Sequence, residues 1–166
     1  MTLFFTIAKP DKLDTALSLL KEAAESIKTK GLKQWGIWLK PQEKQIAWIN
    51  EGFQNGEFFI VQNEKGEELG MFRLSYQDIL YWGVQTEEAA YIHSLMVKKQ
   101  FAGQDLGKKI IAQVEQKLLG DGINLLRLDC NAENRWLCTY YEAQGFVQVG
   151  QKQMPHGLNN LYEKKL

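Results

Sequence analysis

The stretch VKKQFAGQDLGKKII, residues 97–111, carries two glycines, Gly103 and Gly107, flanked by lysines, where an apolar run gives way to an amphipathic one. A helix start offers unbonded backbone N–H groups and a partial positive charge. A glycine in the turn lets a phosphate approach that backbone without meeting a Cβ. Lys98, Lys99, Lys108 and Lys109 form a local basic cluster that adds screened attraction. The same residues serve equally as a plain strand-to-helix turn. The dinucleotide pattern GxGxxG and the P-loop pattern GxxxxGK(S/T) are both absent, so the ordinary nucleotide readings lose ground.

Other residues with chemical capacity are scattered. His93 sits in the apolar run YIHSLMV; its ordinary pKa near 6.5 suits proton transfer, and a satisfied strand histidine explains it as well. Glu87 and Glu88 are carboxylate alternatives for the same task, and His156 falls in a C-terminal loop. Tyr141 lies in NRWLCTYYEAQGF, residues 134–146, where a core aromatic on an amphipathic helix accounts for it. Cys130 and Cys138 make neither a disulfide framework nor a metal motif. Neither has a histidine beside it in sequence, so buried structural thiols in a reducing, cytoplasmic setting are the expectation, with no metal. Trp35, Trp38, Trp48, Tyr76, Tyr81 and Trp82 suit either stacking on a planar or cationic group or core packing.

The elements that must position these groups follow from periodicity. Residues 3–8 read as a strand rather than a signal peptide. Asp11 offers an N-cap to a helix with Leu13, Ala16, Leu17, Leu20, Ala24 and Ile27 on one stripe, closed by Lys28, Lys30 and Gly31. An aromatic, irregular stretch precedes Pro41, and a second helix with Ile46, Ile49 and Phe53 on one face follows it. Two strands across residues 56–76 meet at a turn over residues 64–66. AAYIHSLMV is a buried, central strand. A helix with Ile110, Ile111, Val114 and Leu118 stops at GDG, INLLRLDC is a strand, and residues 134–144 form a helix closed by Gly145. A final strand pair completes the order β, α, α, β, β, β, α, β, α, β, β. Strand–helix–strand units in the second half imply local parallel pairing. The whole predicts an α/β fold: a mixed, mostly antiparallel central sheet flanked by helices on both faces.

The chain of 166 residues suits one domain over residues 1–166. Hydrophobic residues are 45% and charged residues 24%, an ordinary globular balance. Lys+Arg and Asp+Glu are both 20, which gives no general drive toward nucleic acid or an anionic membrane surface. No apolar stretch reaches membrane-spanning length.

Together, YIHSLMV, the loop and NRWLCTYYEAQGF resemble the GCN5-related N-acetyltransferase (GNAT) superfamily, best over residues 58–150. The family's loop reads Arg/Gln-x-x-Gly-x-Gly/Ala, often with a further Gly; Gln100, Gly103 and Gly107 match, and Asp105 stands where Gly or Ala is usual. Asn134, Tyr141, Gly145 and Phe146 match the second motif in spacing, with Leu137 in place of a small residue. The resemblance implies acetyl-CoA as cosubstrate and a primary amine of a small molecule or protein as acceptor, joined by direct attack in a ternary complex. It implies that the backbone of Leu95, Met96 and Val97 holds the pantetheine arm as an added strand would. Ala102, Gly103, Gln104, Asp105, Leu106, Gly107 and Lys108 then take the pyrophosphate, and Asn134 and Leu137 lie on the arm's other side. Tyr141 is the implied general acid and His93 a candidate base. A homodimer fits the resemblance. The alternative is a module of the same fold that binds or senses acyl-CoA without turnover.

Overall fold

In the computed structural model, which describes residues 1–166, the elements follow the order the periodicity predicts, with one addition. They are β1 (Phe4–Ile7), α1 (Leu13–Thr29), α2 (Glu43–Gln54), β2 (Phe58–Gln62), β3 (Glu68–Ser75), α3 (Ile79–Trp82), β4 (Ala90–Val97), α4 (Leu106–Gly120), β5 (Leu125–Asn131), α5 (Arg135–Glu142), β6 (Val147–Met154) and β7 (Gly157–Lys165). The addition is α3, a single turn capped by Asp78, whose Oδ1 accepts from the Tyr81 N–H at 3.1 Å. Short 3-10 turns cover Pro10–Lys12, Gly36–Leu39 and Lys99–Phe101. Asp11 is not the cap of α1: it lies inside the first 3-10 turn, which Pro10 opens and the Lys12 N–H to Lys9 C=O bond closes. The seven strands are ordered β1-β2-β3-β4-β5-β7-β6, mostly antiparallel. No helix is long and apolar enough to cross a membrane.

Contacts group the chain into two compact units, one of Met1–Leu74 with Ser94–Ile110, the other of Ser75–His93 with Ile111–Leu166. The first unit buries the apolar stripes of two helices. Ala16, Leu19 and Leu20 of α1 and Ile49 and Phe53 of α2 pack on Phe58 and Ile60 of β2, Met71 of β3 and Met96 of β4. Full burial of each large side chain here contributes about 1.5–3 kcal/mol. A Cβ at Gly70 would collide with the Met96 carbonyl, so glycine is what lets β3 lie close to the end of β4. The turn between β2 and β3 is held by the Asn63 side chain, whose Oδ1 accepts from the Lys65 and Glu67 N–H groups.

In the second unit β5 pairs in parallel with β4 through Ala90–Leu126 and Tyr91–Arg127. It pairs antiparallel with β7 along its whole length. Successive β5 side chains alternate between faces. Leu126, Leu128 and Cys130 take one face, and Cys130 meets Cys138 of α5 there, Sγ to Sγ 3.6 Å. Arg127 and Asp129 take the other.

Candidate active site

The first group of site residues belongs to the first unit and is nearly contiguous in sequence. β4 carries Leu95, Met96 and Val97, after a left-handed residue, Ser94, at φ +50°. Such a residue inside a strand breaks the regular pleat. The Lys98 N–H bonds the Leu69 C=O at 2.8 Å, and its ammonium lies 3.8 Å from Glu68. The Lys99 N–H bonds the Glu22 carboxylate at 3.2 Å. Ala102, Gly103, Gln104 and Asp105 are exposed, Leu106 is buried as an anchor, and α4 starts there.

Two residues of this turn are left-handed: Gly103 at φ +77° and Asp105 at φ +55°. Aspartate is among the few non-glycine residues that tolerate this region. The Asp105 C=O accepts the Lys109 N–H at 3.0 Å, the first bond of the helix. The N–H groups of Leu106, Gly107 and Lys108 stand in the first turn, where no intrahelical acceptor exists. A Cβ built on Gly103 would meet nothing within 4 Å, so the approach is open. Backbone donors, an open approach and the exposed Lys108 fit a pyrophosphate.

The second group belongs to the second unit. Asn134 caps α5, its Oδ1 accepting from the Leu137 N–H at 3.2 Å. Tyr141 is buried, with its ring edge-on to Phe146 at 5.9 Å. Burial first, and then the charges of Cys130 and other neighbours, push its phenol pKa well above the ordinary value, so it stays protonated. Cys130 is 1% and Cys138 2% exposed, and burial raises the Cys130 thiol pKa, which leaves no nucleophilic thiolate there.

His93 Nε2 lies 3.3 Å from Ser75 Oγ and 3.9 Å from Asp78 Oδ2. The Ser75 hydroxyl donates to the Gln77 C=O at 3.0 Å, so its one proton is committed. His93 Nε2 therefore carries the proton in this bond. Glu87 pairs with Arg127 at 3.1 Å and Glu88 is exposed. His156 Nε2 lies 3.4 Å from the Tyr81 hydroxyl.

Two groups went unnoticed in the sequence. Arg127 binds Glu163 at 2.8 Å, the Tyr91 hydroxyl at 2.9 Å and Glu87, over the Trp82 ring. Burial would lower its pKa, but the hydrogen bonds to Tyr91 and Glu163 outweigh it and the guanidinium is held above its ordinary value. Asp129, two residues on, accepts from Asn159 Nδ2 at 2.6 Å. Burial, the largest effect, and the nearby Asp78 charge lift its carboxyl to about 7 against the Asn159 bond. The signal for both was period two: polar side chains at alternate places in the otherwise apolar run LLRLDC.

A family model for the acetyltransferase (GNAT) domain matches residues 21–162. The chain belongs to the GNAT family. The uncharacterized N-acetyltransferase YesJ of Bacillus subtilis (strain 168) is 30% identical over 159 residues, 92% of this chain and 84% of YesJ. A GNAT acetyltransferase from Listeria monocytogenes 4b F2365 superposes with a TM-score of 0.80 at 25% identity, over 99% of this chain and 95% of that one. PaiA N-acetyltransferase from Thermoplasma acidophilum, solved with coenzyme A, shares the GNAT fold with a TM-score of 0.62 at 18% identity, over 100% of both chains.

Proposed function

We propose that the chain transfers the acetyl group of acetyl-CoA to a primary amine of a small molecule or protein, by direct attack in a ternary complex. The observation that carries this is the open, left-handed turn at Gly103 and Asp105 leading into α4, in a chain of the GNAT family. Acetyl-CoA supplies the acetyl thioester. The backbone of Leu95, Met96 and Val97 holds its arm, and the amides from Ala102 to Lys108 hold its pyrophosphate. Asn134 and Leu137, at the start of α5, border the arm. Tyr141 stays protonated and gives its proton to the leaving sulfur. The buried, unbridged cysteines suit a reducing, cytoplasmic setting.

Calorimetric titration of the pure protein with acetyl-CoA, and with CoA beside it, tests the cofactor half. Micromolar binding is the expected result, and a folded protein that binds neither overturns the proposal. Thiol release on adding a panel of primary amines tests the transfer half. One feature favours a second reading, binding without turnover: the Asp105 carboxylate sits in the turn that must receive an anion. Tight cofactor binding with no thiol release for any amine supports that reading instead.

A further inference from the structure

Four elements of the second unit bring polar groups to one place. Asp129 comes from β5, Asp78 from the cap of α3, His93 from β4 and Asn159 from β7. Side-chain nitrogen and oxygen atoms of Asp78, His93 and Asp129 lie within 4.8 Å of one another. Asn159 is 5% exposed; its Nδ2 is spent on Asp129, and its Oδ1 is buried with no hydrogen-bond donor. A buried acceptor without a donor costs free energy, about 1–3 kcal/mol, and is uncommon in folded proteins. A carboxylate next to an orphaned carbonyl oxygen calls for a ligand that only donates. A primary ammonium, with three N–H donors and one positive charge, is such a ligand.

We infer that Asp129 is the base of the reaction, taking a proton from the acceptor's ammonium as it docks against the Asp129 carboxylate and Asn159 Oδ1. The inference rests on the transfer proposed above and adds the residue that starts it. The Asp129 carboxylate removes one proton from R–NH3+, giving R–NH2 and a carboxylic acid that later returns its proton to water. The nitrogen lone pair then forms the C–N bond to the acetyl carbon, the C–S bond breaks, Tyr141 gives its proton to the sulfur as CoA thiol, and the nitrogen's surplus proton returns to Tyr141. One acetyl group moves and one proton is released in total.

The groups facing Asp129 suit the task. A carboxyl lifted to about 7 is a stronger base than an ordinary aspartate and still half ionised at neutral pH. Asp78 and Asp129 add negative charge on the approach of a cation, and both raise the Tyr81 phenol after its burial does. His93, with its Nε2 proton turned to Ser75 and Asp78, is a positioning residue for the Asp78 side chain. Arg127 shares the face, but its Nε, Nη1 and Nη2 bond Glu163, Tyr91 and Glu87.

The test compares wild type, Asp129→Asn and Asn159→Leu in the full chain. With an active primary amine, kcat/KM for wild type should rise with pH through a midpoint near 7. Asp129→Asn should lose about 10²-fold or more and lose that limb. Asn159→Leu removes the bond that holds the carboxyl down, so the midpoint should move upward. A carboxyl-labelled aspartate NMR titration, with the signal assigned by Asp129→Asn or by its shift in Asn159→Leu, gives a readout that needs no turnover. Adding n-butylammonium chloride should lower the Asp129 midpoint, because a cation favours the carboxylate. A midpoint that ignores both n-butylammonium and Asn159→Leu overturns the assignment, as does an unchanged pH limb in Asp129→Asn. Wild type that releases no thiol with any amine overturns the transfer itself, while the NMR response still reports on the ammonium site.

Discussion

The turn before α4 and the cluster around Asp129 are built in opposite ways. The turn is written in consecutive residues: glycines, lysines and a helix start lie within fifteen positions, and what it offers is backbone. The cluster is assembled from β4, α3, β5 and β7, from side chains separated by up to 81 positions. A site made of backbone leaves a local pattern, whereas a site made of side chains from distant strands leaves only a polar residue in an apolar run. The same contrast recurs within β5. Arg127 and Asp129 share a face two residues apart, yet one is surrounded by partners of opposite charge and the other faces a carboxylate of its own sign.

The largest expected effect tests that contrast from the Arg127 side. Arg127→Met leaves Glu163, 16% exposed at its side chain, without its cation. Loss of one partner of such a buried pair costs about 3 kcal/mol, or roughly 6–12 °C in melting temperature for a chain of this size. Arg127 and Glu163 are opposite each other in the β5–β7 register, so adding Glu163→Leu should recover most of the loss. A single variant that melts with wild type would mean the pair holds nothing together. Next comes Tyr141→Phe, expected to cut kcat by about 10²-fold while acetyl-CoA affinity stays level in calorimetry. Unchanged turnover would return Tyr141 to its packing role against Phe146.

Much of the fold was legible because its signals are periodic. The stripes of α1 and α2, the apolar run of β4 and the parallel β4–β5 pairing all follow from spacing. The single turn of α3 was not, since four residues hold no period and its one signal, Asp78, acts as a cap only once the chain has folded. Asp11 misled for the related reason that Pro10 starts a 3-10 turn before the helix. Tyr141 and the loop are singled out by motif spacing. Asp129 was missed because its partners Asn159, Asp78 and His93 are close only through the sheet.

A third prediction uses the sign of the Asp129 shift. Its carboxyl binds a proton more tightly folded than unfolded, so below about 4 both states are protonated and its contribution is fully present. As pH rises toward 7 the unfolded chain has ionised while the folded one has not, and this stability is lost steadily; above 7 no more is lost. Asn cannot ionise in either state. The melting temperature of Asp129→Asn relative to wild type should therefore climb between pH 4 and pH 7 and level off above it. A difference that stays flat with pH would mean that Asp129 titrates normally and that the charge contrast within β5 is absent.

The smallest effect sharpens the comparison from the turn. Asp105→Gly keeps the left-handed backbone that the turn needs, at φ +55°, and removes the carboxylate beside the incoming pyrophosphate. Two charges about 4 Å apart in water interact by about 1 kcal/mol, so acetyl-CoA should bind about fivefold more tightly, and less so at high salt. Asp105→Ala removes the same charge but places a side chain without aspartate's tolerance in the left-handed region, and should lose part of that gain to strain. If the glycine and alanine variants gain equally, charge alone governs the turn. If neither gains, the Asp105 side chain points away from the anion and the backbone is the whole site, which leaves the carboxylates of the second unit as the ones that matter to chemistry.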